Sequence, residues 1–388
     1  MSFRQIPSRW LRALAFCGAC LLLGGCGQFF PPLSTSSGSS GSSSGDYLYV
    51  GNLEGGNLGI AGFTFANSTL TSLSGSPYTA VAAPYALAIT PDNSYLYVGG
   101  GVTESIAEYP ISSTGTLGSG SVVASFSPAT LEVDTTGTWL IGIDVLYNEV
   151  YAFQIDTSTG GLSQPLSSSV VTLPNCDIAD DVPGGLAPGL VIAPDDNYVY
   201  ASCGTAGIYV LTFDSSTGAL TETGQVRPAA TDGADSGLAI ATTSSASYLL
   251  APETVTNGVR VFSISSTDGQ ISQVSGSPFS TGSGPDAVLV DSTDSYVYVA
   301  NRAAGTISGF TLGSDGALTA ISGSPFATGA LPVALVEDNS HTYVAAICYG
   351  GNADLETYTI GTAGALVSFK NSSTGTDPTQ ASSAVATP

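Results

Sequence analysis

A strand-like segment recurs seven times along this chain, and this repeat limits the possible folds more than any other feature. The copies are YLYVGN at Tyr47, YLYVGG at Tyr95, WLIGID at Trp139, YVYASC at Tyr198, YLLAPE at Tyr248, YVYVAN at Tyr296 and HTYVAA at His341. They follow one another at steps of 48, 44, 59, 50, 48 and 45 residues. A unit of this length cannot bury its own apolar face, so neighbouring copies must stack.

Three further segments recur between these copies. One is an apolar segment with a Ser/Thr/Gly turn after it, such as SSTGTL or STDGQI, centred on Phe63, Tyr109, Phe153, Leu211, Phe262, Phe310 and Tyr358. Another reads SGSPY or SGSPF and begins at Ser74, Ser275 and Ser322. The last is a short apolar run after Pro or Gly, such as PYALAIT. Alternation with period two between Gly and Asp turns predicts strands, and four strands per unit predict a propeller blade.

The sequence therefore predicts an all-β, seven-bladed β-propeller over residues 46–388, with four antiparallel strands per blade. The chain enters the repeat on a second-type strand at Tyr47, so blade one lacks its innermost strand. The C-terminal segment DPTQASSAVAT is similar to that missing strand. We expect it to return to blade one and close the ring, which leaves no long exposed strand edge.

The repeats resemble the seven-bladed lactonase-like, YVTN-repeat propeller family over nearly all of residues 46–388. The resemblance implies a fold related to that of 6-phosphogluconolactonase. It carries little information about activity, because one propeller scaffold hosts many functions.

The N-terminus has the features of an export signal. Residues 1–25 contain three arginines followed by the apolar run ALAFCGACLLLGG, which is typical of a signal peptide. The run ends in LGGC, which resembles a bacterial lipobox and implies that Cys26 is acylated and becomes the mature N-terminus. An ordinary secretory signal with a chance cysteine is the alternative. Residues 26–45 then form a Ser/Gly-rich linker that is expected to be a flexible coil.

These features predict an extracytoplasmic lipoprotein of the bacterial cell envelope, at the outer membrane or facing the periplasm. Removing the signal leaves four basic residues against 30 acidic ones, a net charge of about −26. So acidic a chain is not expected to bind nucleic acid or anionic lipid headgroups, which leaves the lipid on Cys26 as its membrane contact. The acidity is explained by the solubility of a surface with little lysine, and we expect a monomer.

Three cysteines remain after processing and acylation: Cys176, Cys203 and Cys348. Cys176 lies in an insertion before blade four, and Cys203 ends the second strand of that blade. Both are expected on the same face, so a disulfide between them is predicted in an oxidising compartment. Two unrelated buried thiols, or a bond to Cys348, are the alternatives.

In a propeller, the loops that leave the second strands and those that lead into the first strands share one face around the channel. Polar or reactive residues predicted after the second strands are Asn52, Glu104, Asp144, Cys203, Glu253, Asn301, Arg302 and Cys348. The loops leading into blades four and five add Asp177, Asp180, Asp181, Arg227, Asp232 and Asp235. The step of 59 residues marks an insertion in the first of these loops, and long loops on a rigid ring often carry function.

Hydrolysis of a lactone needs a base that activates water and a cation or donor that stabilises the oxyanion. Lactonase relatives carry an Arg directly after this strand, and Asn301-Arg302 matches that motif. The resemblance thus implies Arg302 as the oxyanion or carboxylate partner, and Glu253 or Asp144 could serve as base. The pair Asp180-Asp181 is a further possibility for the base. An ion pair with Asp286 is the alternative role for Arg302.

The match to the family motifs ends at Arg302. The segment AAGTI stands where relatives have a His, and Pro188 and Gly189 stand where relatives have an Arg-His pair. The sole histidine, His341, is predicted to start its strand near the opposite face, in place of a repeat Tyr. Phosphogluconolactone fits poorly, because a phosphate needs several basic groups and only Arg227 and Arg302 are predicted on the face.

We expect no cofactor and no metal site, because the sequence has no zinc spacing, no Ca²⁺ loop spacing, no phosphate-binding loop and no nucleophile elbow. The first interpretation is a binding or interaction module for a small molecule or an envelope protein. The second is a lactonase-like hydrolase acting on a neutral sugar lactone or related ester. A structural surface protein is the third. An enzyme requires Arg302 and an acid to converge, whereas a binding module requires only an exposed patch.

Overall fold

A computed structural model describes residues 45–52, 59–66, 69–100, 104–144, 146–174, 176, 189–226, 237–350, 354–372 and 381–388. Within these ranges the chain forms seven antiparallel sheets, each with four strands on its main path. Innermost strands of neighbouring sheets contact one another around a common centre. The predicted all-β, seven-bladed propeller is therefore confirmed.

The strands are named from the channel outwards for blades one to seven. The innermost strands are β31 (Ala381–Ala386), β5 (Ala86–Ile89), β9 (Pro128–Val133), β13 (Leu190–Ile192), β17 (Ala239–Thr242), β22 (Pro285–Val290) and β27 (Ala330–Glu337). The second strands are β1 (Tyr47–Asn52), β6 (Tyr95–Gly100), β10 (Trp139–Asp144), β14 (Tyr198–Ser202), β18 (Ser247–Glu253), β23 (Tyr296–Asn301) and β28 (Tyr343–Gly350).

The third strands are β2 (Gly59–Ala66), β7 (Ser105–Pro110), β11 (Glu149–Gln154), β15 (Ile208–Asp214), β19 (Gly258–Ile264), β24 (Thr306–Leu312) and β29 (Leu355–Ile360). The outermost strands are β3 (Thr69–Ser72), β8 (Ser121–Ala124), β12 (Val170–Thr172), β16 (Ala219–Val226), β20 (Ile271–Gln273), β25 (Leu318–Ala320) and β30 (Leu366–Ser372). Short strands β4 (Tyr78–Thr79), β21 (Phe279–Ser280) and β26 (Phe326–Ala327) pair with third strands, and 3₁₀ turns span Ser167–Ser169 and Thr362–Gly364.

The alternating repeat segments become second strands that are buried on both faces, because each blade packs between two others. In β23, every residue after Tyr296 is buried. The central aromatic of each third strand lies opposite the first aliphatic residue of the second strand, as in the pairs Leu96–Tyr109 and Val297–Phe310. Apolar side chains on both faces of these strands form the core between blades.

The C-terminal segment completes blade one, as the sequence predicts. Strand β31 pairs antiparallel with β1, with Val50 opposite Ala384. Thr387 N donates to Tyr47 O at 2.9 Å, and Ser383 Oγ donates to Pro84 O at 2.7 Å. The ring is thus closed by hydrogen bonds between the two ends of the propeller.

The aromatic residues of the repeat join each blade to the next one along the chain. Their polar atoms donate to carbonyls of the following blade's outer turn: Tyr49 to Gly115 at 2.6 Å, Tyr97 to Gly160 at 2.8 Å, Trp139 to Ser215 at 2.7 Å, Tyr200 to Gly269 at 2.9 Å, Tyr248 to Ser314 at 2.8 Å and Tyr298 to Gly364 at 2.8 Å. The ring therefore explains why both the aromatic residue and the turn motif recur.

The turn glycine recurs because a neighbouring ring occupies the space of a side chain. Gly160 has φ +72, and a Cβ there would lie 2.6 Å from the ring of Tyr95. Its neighbour Gly161 would place a Cβ 3.3 Å from Thr159 Oγ1 and meet nothing else within 4 Å. Two adjacent glycines of one turn thus differ in their tolerance of a methyl group.

We expect Gly160→Ala to lower the free energy of unfolding by about 2–3 kcal/mol, from the positive φ and the clash with Tyr95. Gly161→Ala, in the same turn, is expected to change it by less than about 0.5 kcal/mol. Urea unfolding followed by circular dichroism measures both. Equal effects of the two substitutions would contradict the interblade packing described above.

The SGSP segments fasten the outer part of three blades. Each second Ser accepts a hydrogen bond from an amide of the third strand: Ser76 Oγ from Gly62 N, Ser277 Oγ from Val261 N and Ser324 Oγ from Gly309 N, all at 2.9 Å. The aromatic residue that follows the proline then begins a short strand along the same third strand. This unit is therefore part of the scaffold.

The prediction that His341 starts its strand was wrong by two residues. Strand β28 begins at Tyr343, which is the repeat aromatic of blade seven. His341 lies in the preceding turn with φ 56, the position taken in other blades by Asn93 and Asp294 at φ 59 and 53. A left-handed turn position favours Asn, Asp or His over a bulky strand former, so His341 belongs to the turn.

Candidate functional site

Blade six holds Arg302 just beyond the end of β23. The preceding Asn301 is fully buried and fixes this turn. Its Oδ1 accepts from Gly282 N at 3.1 Å, and its Nδ2 donates to Thr306 Oγ1 at 3.0 Å and to Ser308 Oγ at 2.9 Å. Asn301, predicted as a ligand-face residue, is thus placed as an anchor beneath the face.

Arg302 lies where the innermost strand of blade six begins. Its backbone N donates to Gly284 O at 2.7 Å, directly before β22. Asp286 occupies a register shift between Pro285 and Ala287, at the end of β22 next to Arg302. Arg302 is half-buried and Asp286 is 4% exposed.

The charges of Asp286 and Arg302 interact. Burial raises the pKa of Asp286 to about 6, and the positive charge of Arg302 opposes that rise. The carboxylate is therefore mostly ionised at neutral pH despite its burial. A buried anion behind a half-buried guanidinium orients the arginine, which is the arrangement expected of a site that holds an oxygen ligand.

Glu253, predicted as a base, has structural partners. Its Oε1 lies 2.8 Å from Nη2 of Arg260, and Thr256 Oγ1 donates to its other oxygen. The Glu253 side chain is 0% exposed and that of Arg260 is 3% exposed. The pair lies between the second and third strands of blade five, in β18 and β19. A carboxylate held in this way neutralises a buried cation.

Asp144, the other predicted base, stabilises a turn of blade three. Its Oδ2 accepts from Ser127 N at 3.1 Å, and its Oδ1 accepts from Leu146 N at 2.7 Å and Tyr147 N at 3.0 Å. Burial raises the pKa of Asp144, whereas these three amides act to lower it. The carboxylate replaces missing backbone partners where the strand ends.

The structure brings Arg302 together with Asp286, and it places Glu253 and Asp144 in the structural networks of two other blades. Arg227, Asp180 and Asp181 lie outside the described residues, as do Asp177, Asp232, Asp235 and Cys26. His341 is on the opposite face, where its Nδ1 is 3.8 Å from Glu337 Oε2. In the described parts of the chain, no group of three or more His, Cys, Asp or Glu side chains could hold a metal ion.

Cys176 and Cys203 form a disulfide, which is the pairing that the sequence predicts. It ties residue 176, before blade four, to the end of that blade's second strand. Cys348 is a free, buried thiol, and burial raises its pKa to about 12. A thiol in that state is unreactive, so Cys348 is part of the core of blade seven.

We expect the double variant Cys176→Ser/Cys203→Ser to be less stable than the wild type by about 2–3 kcal/mol. The bond joins residues 27 positions apart, and its loss frees that loop in the unfolded chain. Urea midpoints with and without reductant measure the effect. The wild type should shift on reduction and the double variant should not; a wild type insensitive to reductant would contradict the disulfide.

Sequence reasoning missed the residues that surround Arg302 on the two neighbouring blades. Asn257, with φ 52, follows β18 and clasps the loop before β22 through its side chain and its carbonyl. The only signal was the dipeptide Asn257-Gly258, which is typical of a tight turn. Val255 and Leu331 are 64% and 39% exposed, and nothing in the repeat pattern marks them.

Comparison with known proteins gives a family match and structural neighbours. The family model described as "Lactonase, 7-bladed beta-propeller" matches residues 61–179 and 197–347. Comparison with curated proteins yields no match. Among the described residues, no helix has the length and hydropathy needed to span a bilayer.

Solved structures with the same fold include a candidate 6-phosphogluconolactonase from Bacteroides uniformis, 17% identical with a TM-score of 0.70, covering 89% of this chain and 100% of the neighbour. A periplasmic gluconolactonase from Pseudomonas aeruginosa is 16% identical with a TM-score of 0.69, covering 89% of this chain and 99% of the neighbour. A Lactobacillus plantarum protein is 18% identical with a TM-score of 0.69, covering 88% and 98%. At such identities the likeness concerns the fold.

Proposed function

Because the chain belongs to the seven-bladed β-propeller lactonase family, we propose that it is an extracytoplasmic binding module that holds a small ligand by a carbonyl or carboxylate oxygen at Arg302. One observation carries this proposal: a half-buried Arg302 backed by the buried Asp286 at the start of β22. A guanidinium oriented from behind can present two parallel N–H groups to such an oxygen. Site residues on loops of a rigid ring are typical of propeller ligand sites.

A lactone hydrolase is the second candidate function, and it is favoured by the family match together with Asp286. A carboxyl group with a pKa of about 6 is close to the value suited to a general base at neutral pH. In this scheme Asp286 takes a proton from water, and Arg302 stabilises the oxyanion formed on the lactone carbonyl. The positions of Glu253 and Asp144 in structural networks weigh against it and favour binding without turnover.

The experiment compares wild type with Arg302→Ala on a panel of neutral sugar lactones and their acids, by calorimetry for binding and by pH-stat for turnover. Loss of a charged hydrogen-bond donor should weaken binding about 10- to 100-fold. Lys370→Ala is the control, because it removes another of the four basic residues of residues 26–388 from outermost strand β30. Equal ligand affinity in wild type and Arg302→Ala would contradict the proposal.

The Asp286→Asn variant separates the two candidate functions. If the site only binds, Asp286→Asn should weaken binding a few-fold by loosening Arg302. If it hydrolyses lactones, turnover should fall by about 100-fold or more while the substrate still binds. Turnover that survives Asp286→Asn would exclude Asp286 as the base.

We also propose that Cys26 anchors the protein to a membrane of the cell envelope through an attached lipid. The support is the LGGC sequence at the end of an apolar signal-like run. Multiple acyl chains, at about 0.8 kcal/mol per buried CH₂, would hold the protein stably. Cys26→Ser should move the protein from the membrane pellet to the soluble fraction. A variant that still sediments with membranes would overturn the proposed anchor.

A further inference from the structure

A continuous strip of backbone runs across three blades beside Arg302. It comprises residues 254–257 of blade five, 281–284 and 302–305 of blade six, and 328–331 at the start of blade seven. Thr281 N donates to Asn257 O at 2.9 Å, and Gly284 N donates to Asn257 Oδ1 at 2.8 Å. The connection then continues from Arg302 N to Gly284 O at 2.7 Å and from Thr328 N to Gly305 O at 3.2 Å. We call these four segments the rim strip.

The rim strip has an unusual composition for this protein. The chain carries 30 acidic residues, yet the strip contains no Asp or Glu. Its one charged side chain is Arg302, and the rest are small, hydroxyl-bearing, amide or apolar residues. In a mature protein with a net charge of about −26, an acid-free surface around a guanidinium favours ligands that other parts of the surface repel.

Two large apolar side chains on the strip are held in solvent on either side of Arg302. Val255 is 64% exposed on blade five, and Leu331 is 39% exposed on blade seven. Leu331 also has φ 55, a conformation that a leucine adopts only at a cost in strain. Backbone strain at a non-glycine residue costs about 1–3 kcal/mol and clusters at ligand sites.

We infer that the rim strip binds an amphipathic small molecule whose oxygen-bearing head contacts Arg302 and whose acyl chain covers Val255 or Leu331. The ligand chemistry is a carbonyl or carboxylate head on an apolar chain, which could come from an acyl-bearing lactone or from a fatty acid. This inference rests on the proposed function, because it takes Arg302 as the contact for the head group. It adds the class of ligand: one with an apolar tail rather than a bare sugar lactone.

The observations favour this ligand over a fully polar one. A sugar lactone would leave Val255 and Leu331 in water, and a strained leucine would then serve no purpose. An acyl chain laid on either side chain removes apolar surface from water at about 25 cal/mol per Å². The buried Asp286 keeps Arg302 in place, so the head group and the tail meet a preformed surface.

The test uses calorimetry on the full chain carrying Cys26→Ser, which lacks the proposed acylation site, so that no detergent competes with the probes. The probes are δ-decanolactone, decanoate and the short δ-valerolactone. We expect at least one ten-carbon probe to bind about tenfold or more tightly than δ-valerolactone. The tighter of δ-decanolactone and decanoate identifies the source of the head group.

The double variant Val255→Ser/Leu331→Asn should lose this tenfold preference and bind δ-valerolactone as before. Asn accepts a positive φ, so the variant is expected to fold. Its matched control is Val122→Ser/Val367→Ser, which removes two valines that are 57% and 56% exposed on outermost strands β8 and β30. The control should keep the preference.

Two failures can be told apart. If short and long probes bind equally but Arg302→Ala weakens both, the apolar contact is overturned and the proposed function stands. If Arg302→Ala leaves all affinities unchanged, or if no probe binds, both the proposed function and this inference are overturned. A preference that survives in the Val255/Leu331 variant and disappears in the control variant would also overturn the inference.

Discussion

Replacing Glu253 with Ala is expected to lower the free energy of unfolding by about 3–5 kcal/mol. The substitution removes the carboxylate that lies 2.8 Å from the buried Arg260 guanidinium, and water cannot replace it at a site that is 0–3% exposed. The charge of Arg260 persists because arginine does not deprotonate in proteins. Urea unfolding monitored by circular dichroism measures the loss.

The double variant Glu253→Leu/Arg260→Met should recover most of that stability, because removing both charges abolishes the need for compensation. Glu222→Ala, at an exposed acid on β16, is the matched control and should change stability by less than about 0.5 kcal/mol. If Glu253→Ala left stability unchanged and abolished lactone turnover, Glu253 would be a catalytic base and the structural role would be wrong.

The protein is expected to be more stable at pH 5 than at pH 8 by about 3–4 kcal/mol. Burial, followed by the neighbouring Asp338 carboxyl, raises the pKa of Asp46 to about 7. Burial also raises the pKa of Glu337 to about 7, and Asp291 and Asp338 add to the rise. Each unit of pKa shift corresponds to about 1.4 kcal/mol, discounted for Asp46 because it is partly exposed.

The sign follows from where the protons are bound. Between pH 4 and pH 7 the folded protein holds protons on Asp46 and Glu337 that the unfolded chain has released. Stability is therefore complete below pH 4 for these two groups and is lost as the pH rises through about 7. Both groups bridge blades, since Asn339 N donates to Asp46 at 3.2 Å and Ser292 N donates to Glu337 at 2.8 Å.

Thermal unfolding from pH 5 to pH 8 measures this dependence. The double variant Asp46→Asn/Glu337→Gln should show a flatter profile, because neither substituted side chain titrates. Asp315→Asn, at an exposed acid of a blade-six turn, serves as control and should keep the slope of the wild type. A wild-type stability that rises from pH 5 to pH 8 would contradict the assignment.

The ring could be predicted from the sequence because its contacts repeat. An aromatic at the same place in a blade always meets the turn of the next blade, so periodicity alone reveals both partners, as with Tyr97 and Gly160. The closing strand could also be found, because β31 fills a position that the count of strands leaves open. His341 was misplaced because its turn position depends on φ, which the alternation of strands does not reveal.

The site was harder to predict because it depends on burial and register. Glu253 and Asp144 are loop-end acids in the sequence, and only the folded chain supplies Arg260 or three backbone amides as partners. The register shift that places Asp286 beside Arg302 has no sequence signature. The rim strip combines segments up to 77 positions apart, from 254 to 331, whose exposure is set by the whole ring.

The pairing of β1 with β31 makes the propeller sensitive to its own length. A polypeptide that stops anywhere before residue 381 has every second, third and outermost strand but leaves the inner edge of β1 uncovered. Such an edge recruits other strands or exposes the chain to proteases. Premature termination is therefore visible to quality control from the structure itself, and only the complete translation product is protected from degradation.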